Sequence, residues 1–492
     1  MAKGADICLV VEGSYPYVTG GVSSWLQWLM ENLEEYTFAV MALIAEDKDE
    51  TERRYRFPVN VVSYQEFTVF DTRELDQASP LVLSGTRWND LSGRLHRMMT
   101  EWKQGRLSQE SIELIRELAF RRSPRIFRNF FQDEEAFALL TRLYEDFRGE
   151  VGFLKYFYNV RNIHLILFRL ITLLSRMPEA AVYHAPGTGY GGLLACLNAV
   201  LLDRASLITE HGIYLQEREM ELLKSDWLDD AYLKDMWIDA FTSLCLWQYN
   251  TSDRIVTLFE GNRRLEEDYG AQAERIRVIP NGIDIPRYVE ARRERCRTDP
   301  RTVGYVGRID SVKDIKTFIQ VVALIKEAYP NVRALAVGPY EDQPVYFQEC
   351  LALAGMLGVE ETITFTGPAD VVPYYREMDV LLLTSIKEAM PLAVMEAMAS
   401  GLPVVATDVG ACRELLLGEG DGLGDAGCVR RIMDAEGIAG AALDILLDEP
   451  KADRMAKSGI RRIEDRYSEE RVLNEYRSLY QELMNERDRK TG

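Results

Sequence analysis

Residues 380–407 read VLLLTSIKEAMPLAVMEAMASGLPVVAT: an apolar run, a loop, a helix-compatible stretch, a turn at Gly401-Leu402-Pro403 and a second apolar run. Short uninterrupted apolar runs joined through a helix mark parallel strands buried on both faces. Working outward, the same alternation places strands at 302–306, 332–337, 363–366, 380–384 and 404–407, each followed by helix-compatible sequence. An earlier series falls at 6–11, 38–44, 59–63, 181–184, 206–209, 254–258 and 277–279. Two such series predict an α/β protein built on two doubly wound parallel sheets.

The length agrees. At 492 residues the chain exceeds the roughly 250 to 300 residues at which a single core stops growing. The charged, proline-bounded segment 284–300 separates the two series, so the expected domains are 1–285 and 286–466. The strandless helical segment 467–492 is expected to return to the first domain. Residues 64–178 form a helical insertion rich in arginine and aromatic residues, among them Arg121, Arg122, Arg125, Phe127, Arg128, Phe130 and Phe131.

Composition narrows the function. A net charge of −20 argues against non-specific nucleic-acid binding, which needs clustered Lys and Arg. Seven scattered cysteines, an odd number without metal-ligand spacing, argue against a disulfide framework and structural zinc. The longest apolar stretch, 163–174, is interrupted by Arg169 and is shorter than the roughly 20 residues of a membrane span. With no signal-peptide pattern at the start, the expected compartment is the cytoplasm.

In open α/β sheets ligands bind beyond the carboxyl ends of the strands. After the strand ending at Val306 come Gly307, Arg308 and Lys313, just before a helix opening near Asp314. Two cations at a helix start suit a diphosphate; the alternative is two solvated surface cations. In the quoted stretch Glu388 falls in the loop and Glu396, eight residues on, inside the helix. A Glu396 turned among Met395, Ala397 and Met398 requires a hydrogen-bond donor, which a ribose diol supplies; the alternative is a partly exposed helical glutamate. Gly20 and Gly21 lie where a helix begins and leave backbone N–H groups open to oxygen ligands, or else make a tight turn. His211 and His184 end neighbouring strands of the first series. Asp47-Lys48-Asp49 fits the D-x-D pattern of metal-dependent transferases but sits in an acidic run read as a solvated loop.

The pair Glu388 and Glu396 resembles the E-x7-E motif of the retaining glycosyltransferases of family 4. Gly20-Gly21-Val22, Pro280-Asn281-Gly282-Ile283-Asp284, Gly307-Arg308 with Lys313, and Gly401 to Thr407 follow that family's order. Glu12-Gly13-Ser14-Tyr15-Pro16, the insertion, and Thr209-Glu210-His211-Gly212-Ile213-Tyr214 are more similar still to the PelF glycosyltransferases of Pel exopolysaccharide synthesis. The resemblance implies a GT-B fold, two Rossmann-like domains facing a central cleft with the acceptor on the N-terminal and the nucleotide sugar on the C-terminal one, and transfer of a hexose or N-acetylhexosamine from a UDP-sugar to a growing polysaccharide acceptor with retention of configuration. It further implies that Arg308 and Lys313 hold the diphosphate, Glu396 the ribose and Glu388 the donor sugar, with His211 near that sugar and His184 the second candidate. Gly20, Gly21, Met390, Pro391 and Leu392 complete the expected donor contacts. No metal or other cofactor is expected, because the two cations neutralise the leaving group. Ala389-Met390-Pro391 replaces the commoner Gly-Phe-Gly, and Pro391 removes one N–H donor. The resemblance also implies docking to an integral membrane polysaccharide synthase complex, at the inner membrane, to which the insertion could contribute.

Three other classes compete. A nicotinamide dehydrogenase lacks its G-x-G-x-x-G after the first strand. A sugar-nucleotide epimerase would share the fold and the diphosphate site. A non-catalytic scaffold would have little use for Arg308, Lys313, Glu388 and Glu396 together.

Overall fold

The computed structural model describes residues 4–13, 15–45, 53–71, 85–122, 137, 141, 144, 151–228, 230–292, 300–418 and 420–491. Asp47-Lys48-Asp49 and the run from Arg125 to Phe131 lie outside these residues. The chain divides into two compact units: Met1–Thr257, Asn262–Val278 and Tyr476–Gly492 form the first, Leu258–Gly261 and Ile279–Glu475 the second.

The first unit carries seven parallel strands: β1 (Ala5–Glu12), β2 (Phe38–Ile44), β3 (Val61–Thr68), β4 (Ala180–Ala185), β5 (Ala205–Glu210), β6 (Arg254–Thr257) and β7 (Ile276–Val278). Their order is β3-β2-β1-β4-β5-β6-β7. The direction of winding therefore reverses between β1 and β4. β2 is buried along its whole length, as a central strand covered on both faces must be. β3 runs to Thr68, five residues beyond the end expected from sequence, and pairs with β2 from Phe38↔Val61 to Ile44↔Thr68. Its Gln65 and Glu66 are tolerated because β3 is an edge strand, and their polarity hides the strand in the sequence.

The second unit carries six parallel strands: β8 (Thr302–Val306), β9 (Arg333–Val337), β10 (Ile363–Gly367), β11 (Val380–Leu383), β12 (Val404–Thr407) and β13 (Gly427–Arg430). The order β10-β9-β8-β11-β12-β13 reverses between β8 and β11. β13 is absent from the sequence expectation. It is four residues of mixed polarity, and it adds at the edge because Gly427 lies flat against β12, where a Cβ would come within 2.0 Å of the Val404 carbonyl.

Within the insertion the described helices are Gly85–Lys103, Gln109–Glu117 and Phe153–Leu173. Among the described residues no helix is long and apolar enough to cross a membrane. The terminal helix Glu469–Thr491 buries Val472, Tyr476, Leu479, Tyr480 and Leu483, a single stripe at helical spacing. Its later residues belong to the first unit, where the Tyr480 hydroxyl meets His184 at 2.8 Å. Leu479 is fully buried, so Leu479→Ala is expected to cost ~2–5 kcal/mol of stability, read as a lower denaturant midpoint at unchanged slope.

Candidate functional site

Where the strand order of the second unit reverses, the loops after β8 and β11 meet. The β8 loop is shaped by Asp310, whose Oδ1 accepts the backbone N–H groups of Val312 and Lys313, both at 3.0 Å. The β11 loop is tied to it by the Thr384 hydroxyl on the Lys313 carbonyl at 3.0 Å and the Ile386 N–H on the Val312 carbonyl at 2.8 Å. Across this seam Lys313 Nζ donates to Glu388 Oε1 at 2.6 Å, and the Ser385 hydroxyl donates to the same oxygen at 2.6 Å. Both charged side chains are largely sheltered, Glu388 at 10 % and Lys313 at 22 % exposure. Arg308 faces outward instead, 63 % exposed, with Nε 3.6 Å from Asp310 Oδ2.

Glu396 lies on the helix Leu392–Ala399, as its spacing predicts, but its acceptor is already engaged. The Tyr375 hydroxyl donates to Glu396 Oε2 at 2.7 Å. Burial and the nearby Glu396 push the Tyr375 phenol well above its usual value, so it remains a donor. Pro391 forms the N-cap of this helix without a side-chain cap, and Leu392 is exposed. Met390 is buried, its sulfur accepting the Asn281 N–H at 3.4 Å.

One expectation is corrected. The helix Ile315–Ala328 does not offer a free anion site at its start, because Asp314 caps it from the left-handed region at φ 50°. Asp314 accepts the Thr317 N–H at 3.3 Å and the Thr317 hydroxyl at 2.6 Å. A carboxylate of the chain therefore takes the Thr317 N–H at that helix start. Of the two helices that follow the seam loops, Leu392–Ala399 starts without a side-chain cap.

In the first unit Gly20 is extended, φ −176°, and precedes the helix Gly21–Asn32, which has no side-chain cap. Space around both glycines is open. One turn on, Trp25 packs edge-on against His211, with ring centroids 4.5 Å apart. The His211 Nε2 has no hydrogen-bond partner among the described residues. Burial pulls the His211 pKa down to about 4, so the ring is neutral near pH 7. His184 is placed differently. It is fully buried, with Nδ1 2.8 Å from Tyr480 and Nε2 2.9 Å from the Thr209 hydroxyl. Nδ1 is held by the terminal helix and Nε2 by β5, so both ring nitrogens have partners within the chain.

Sequence reasoning missed Asp310, Ser385, Tyr375 and Gly410. Asp310 was readable in principle, as an Asp two and three residues before the N–H groups it accepts. Tyr375 carries no such signal, since 21 residues separate it from Glu396. Gly410 has φ +52°, and a Cβ there would come within 2.1 Å of the Ala389 carbonyl. That close approach holds the β12 loop against the Glu388 loop, where the Ala411 N–H donates to the same carbonyl at 2.7 Å.

Comparisons with known proteins follow this geometry. The model of the family "Domain of unknown function (DUF3492)" matches residues 5–274, more than half of the chain, and the chain belongs to that family. A second model, "Glycosyl transferases group 1", matches residues 300–448 and so contains both loops of the seam. The chain is 34% identical over 172 residues to the D-inositol 3-phosphate glycosyltransferase of Nocardia farcinica, covering 32% of this chain and 38% of that protein. It spans less than two thirds of the length of the first curated relatives it matches. Among solved structures, sucrose-phosphate synthase from Thermosynechococcus elongatus superposes with a TM-score of 0.58 at 17% identity, over 98% of this chain and 99% of that one. Anabaena HepE in complex with UDP does so with a TM-score of 0.58 at 15% identity, over 97% and 100%. The fold is that of the GT-B glycosyltransferases, with two Rossmann-like sheets.

The buried histidines make acid sensitivity testable. Burial lowers His164 and His211 to about 4 and His184 to about 3, from 6.5. Because the unfolded chain takes up these protons first, the stability they contribute is fully present above pH 6.5 and is lost as pH falls towards 4. Replacing His211, as His211→Gln, is expected to flatten the fall of unfolding free energy between pH 6.5 and 4.5; an unchanged slope would show that His211 titrates normally.

Proposed function

We propose that this chain is a retaining glycosyltransferase that moves a hexose or N-acetylhexosamine from a UDP-sugar to a growing exopolysaccharide of the Pel type. The observation that carries this reading is the contact of Lys313 with Glu388 across the β8/β11 seam. The family match over residues 300–448 supports it, as does the UDP in HepE, a protein of the same fold.

In this reading the bond between the sugar C1 and the diphosphate breaks, C1 bonds to an acceptor oxygen, the acceptor proton is released and UDP departs. Charge grows on the diphosphate as the bond breaks. Lys313, held in place by Glu388, and Arg308, whose exposed guanidinium can turn onto a ligand, stabilise that charge. The uncapped start of Leu392–Ala399 adds backbone N–H groups. Glu396 takes the ribose hydroxyls, with Tyr375 fixing its carboxylate. Glu388 takes donor-sugar hydroxyls and keeps Lys313 aimed. Gly20, Gly21 and neutral His211 remain the first unit's candidates for donor contact on the resemblance alone. The two cations take the part a divalent ion plays in other transferases, so no metal is required. The work is done on the cytoplasmic side, with docking to an integral membrane polysaccharide synthase complex.

Three outcomes check this. Lys313→Ala and Glu388→Gln are each expected to lower kcat by about 10²–10³-fold, the scale of one lost charge-stabilising donor, while the protein stays folded with a lowered melting temperature, because each leaves a sheltered partner unpaired. Transfer is expected to survive EDTA, and its abolition would remove the metal-independent reading. Incubation with UDP-sugar but no acceptor is expected to release UDP slowly; conversion to an epimeric nucleotide sugar would favour an epimerase instead.

A further inference from the structure

A cavity of about 930 Å³ opens at the switch point of the first unit, between β1 and β4, at the carboxyl ends of the strands. A further one, of about 590 Å³, lies away from the strand ends and is bounded, among the described residues, by helices alone. Gly85–Lys103, Gln109–Glu117 and Phe153–Leu173 of the insertion form its wall together with Tyr190–Leu202 and Ala231–Thr251. Tyr190, Trp237 and Phe241 line both cavities and so form the partition between them. Packed interiors leave few voids larger than a water molecule, whereas ligand sites run to roughly 300–1,000 Å³.

The helical wall has little to offer a polar molecule. Backbone inside a helix is hydrogen-bonded to itself, so few N–H or C=O groups are open to a ligand. The serine and threonine hydroxyls of the wall are spent on carbonyls of the chain. Thr100 donates to His96 at 2.9 Å, Thr242 to Ile238 at 2.8 Å, and Ser243 to Asp239 at 2.7 Å and Lys103 at 3.2 Å. His164 Nδ1 lies 2.6 Å from the Val160 carbonyl, and Trp237 Nε1 donates to Asn159 at 2.9 Å. Burial pulls His164 down to about 4, which leaves its ring uncharged near pH 7. The ionised side chains in the wall, Lys103 and Asp239, are opposite in sign and both exposed, so together they select neither an anion nor a cation.

What remains is apolar and adaptable. Met98, Met99 and Met236 line the cavity beside Ile163, Leu167 and Phe168. Of these, Met99, Ile163, Leu167 and Met236 are only partly buried, although each sits on a helix that packs against the core. Unbranched methionine side chains adjust to the shape of what lies against them. Apolar side chains left half covered around a void gain when an apolar ligand displaces water from them.

We infer that this cavity between the helices binds the hydrocarbon chain of a lipid. Such a site goes beyond the glycosyl-transfer reading and does not depend on it, and it gives the insertion a ligand of its own.

The test is fluorescence titration of the full chain with N-phenyl-1-naphthylamine, an uncharged apolar fluorophore, followed by displacement with dodecanol. Saturable binding that dodecanol reverses is expected. Met99→Trp and Met236→Trp each place a larger side chain in the void, and each is expected to weaken the probe roughly ten-fold or more in a chain that is still folded. Trp227→Ala, in the wall of the larger cavity only, is expected to leave probe binding unchanged. Uptake that does not saturate, failure of dodecanol to displace the probe, or binding indifferent to both tryptophan variants overturns the inference. Loss of binding in Trp227→Ala does so too, because it places the probe at the switch point. Should neither tryptophan variant fold, a diazirine analogue of dodecanol decides on the natural chain. Its cross-links are expected on Phe153–Leu173 and Ala231–Thr251, and labelling confined to other segments overturns the inference.

Discussion

The 2.6 Å contact between Lys313 and Glu388 is the constraint around which the second unit's site is organised. Neither side chain could be sheltered alone, since an unpaired charge at that exposure is costly. Together they fix the β8 and β11 loops in one register. Backbone bonds from Ile386 to Val312 and from Ala411 to Ala389 then hold three successive loops as a single rigid rim. A rim of this kind holds Lys313 in place ahead of any ligand, which is what the proposed charge stabilisation requires.

The two sheets share one topology and use it in opposite ways. In the second unit the switch point keeps Arg308 exposed and leaves the start of Leu392–Ala399 uncapped, so it can receive an anion. In the first unit Glu12 occupies the helix start beyond the switch point, and the cavity there is lined by aromatic rings together with Arg161 and Arg218. The difference does not lie in the strands, which are equally apolar in both, but in which side chain reaches the helix start beyond them. Asp314 shows the same device at a smaller scale, where it caps Ile315–Ala328 and removes that helix start from the site.

The N-terminal histidines illustrate how one residue type divides between tasks. His184 and His211 end neighbouring parallel strands, His184 fully buried and His211 partly so. The terminal helix brings Tyr480 to His184 Nδ1 while Thr209 of β5 meets Nε2, whereas His211 meets the edge of Trp25 and keeps Nε2 unpartnered among the described residues. An arrival from nearly 300 positions away decides which imidazole is available.

The sequence by itself determined the two parallel sheets, because strands covered on both faces must be continuous apolar runs, and β2, β8 and β12 lie at the positions read from composition alone. It also determined that Glu388 falls in a loop and Glu396 in a helix, since eight residues span little more than two turns. Edge strands escaped it, β13 wholly and β3 in part, because an edge tolerates polar residues that blur the pattern. Only the tertiary structure decided which groups partner each carboxylate: Lys313 with Glu388, Tyr375 with Glu396, the start of Tyr190–Leu202 with Glu12. Hydrogen bonds and ion pairs depend on distances of a few ångströms in space, and those are set by which loops the sheets bring together rather than by spacing along the chain.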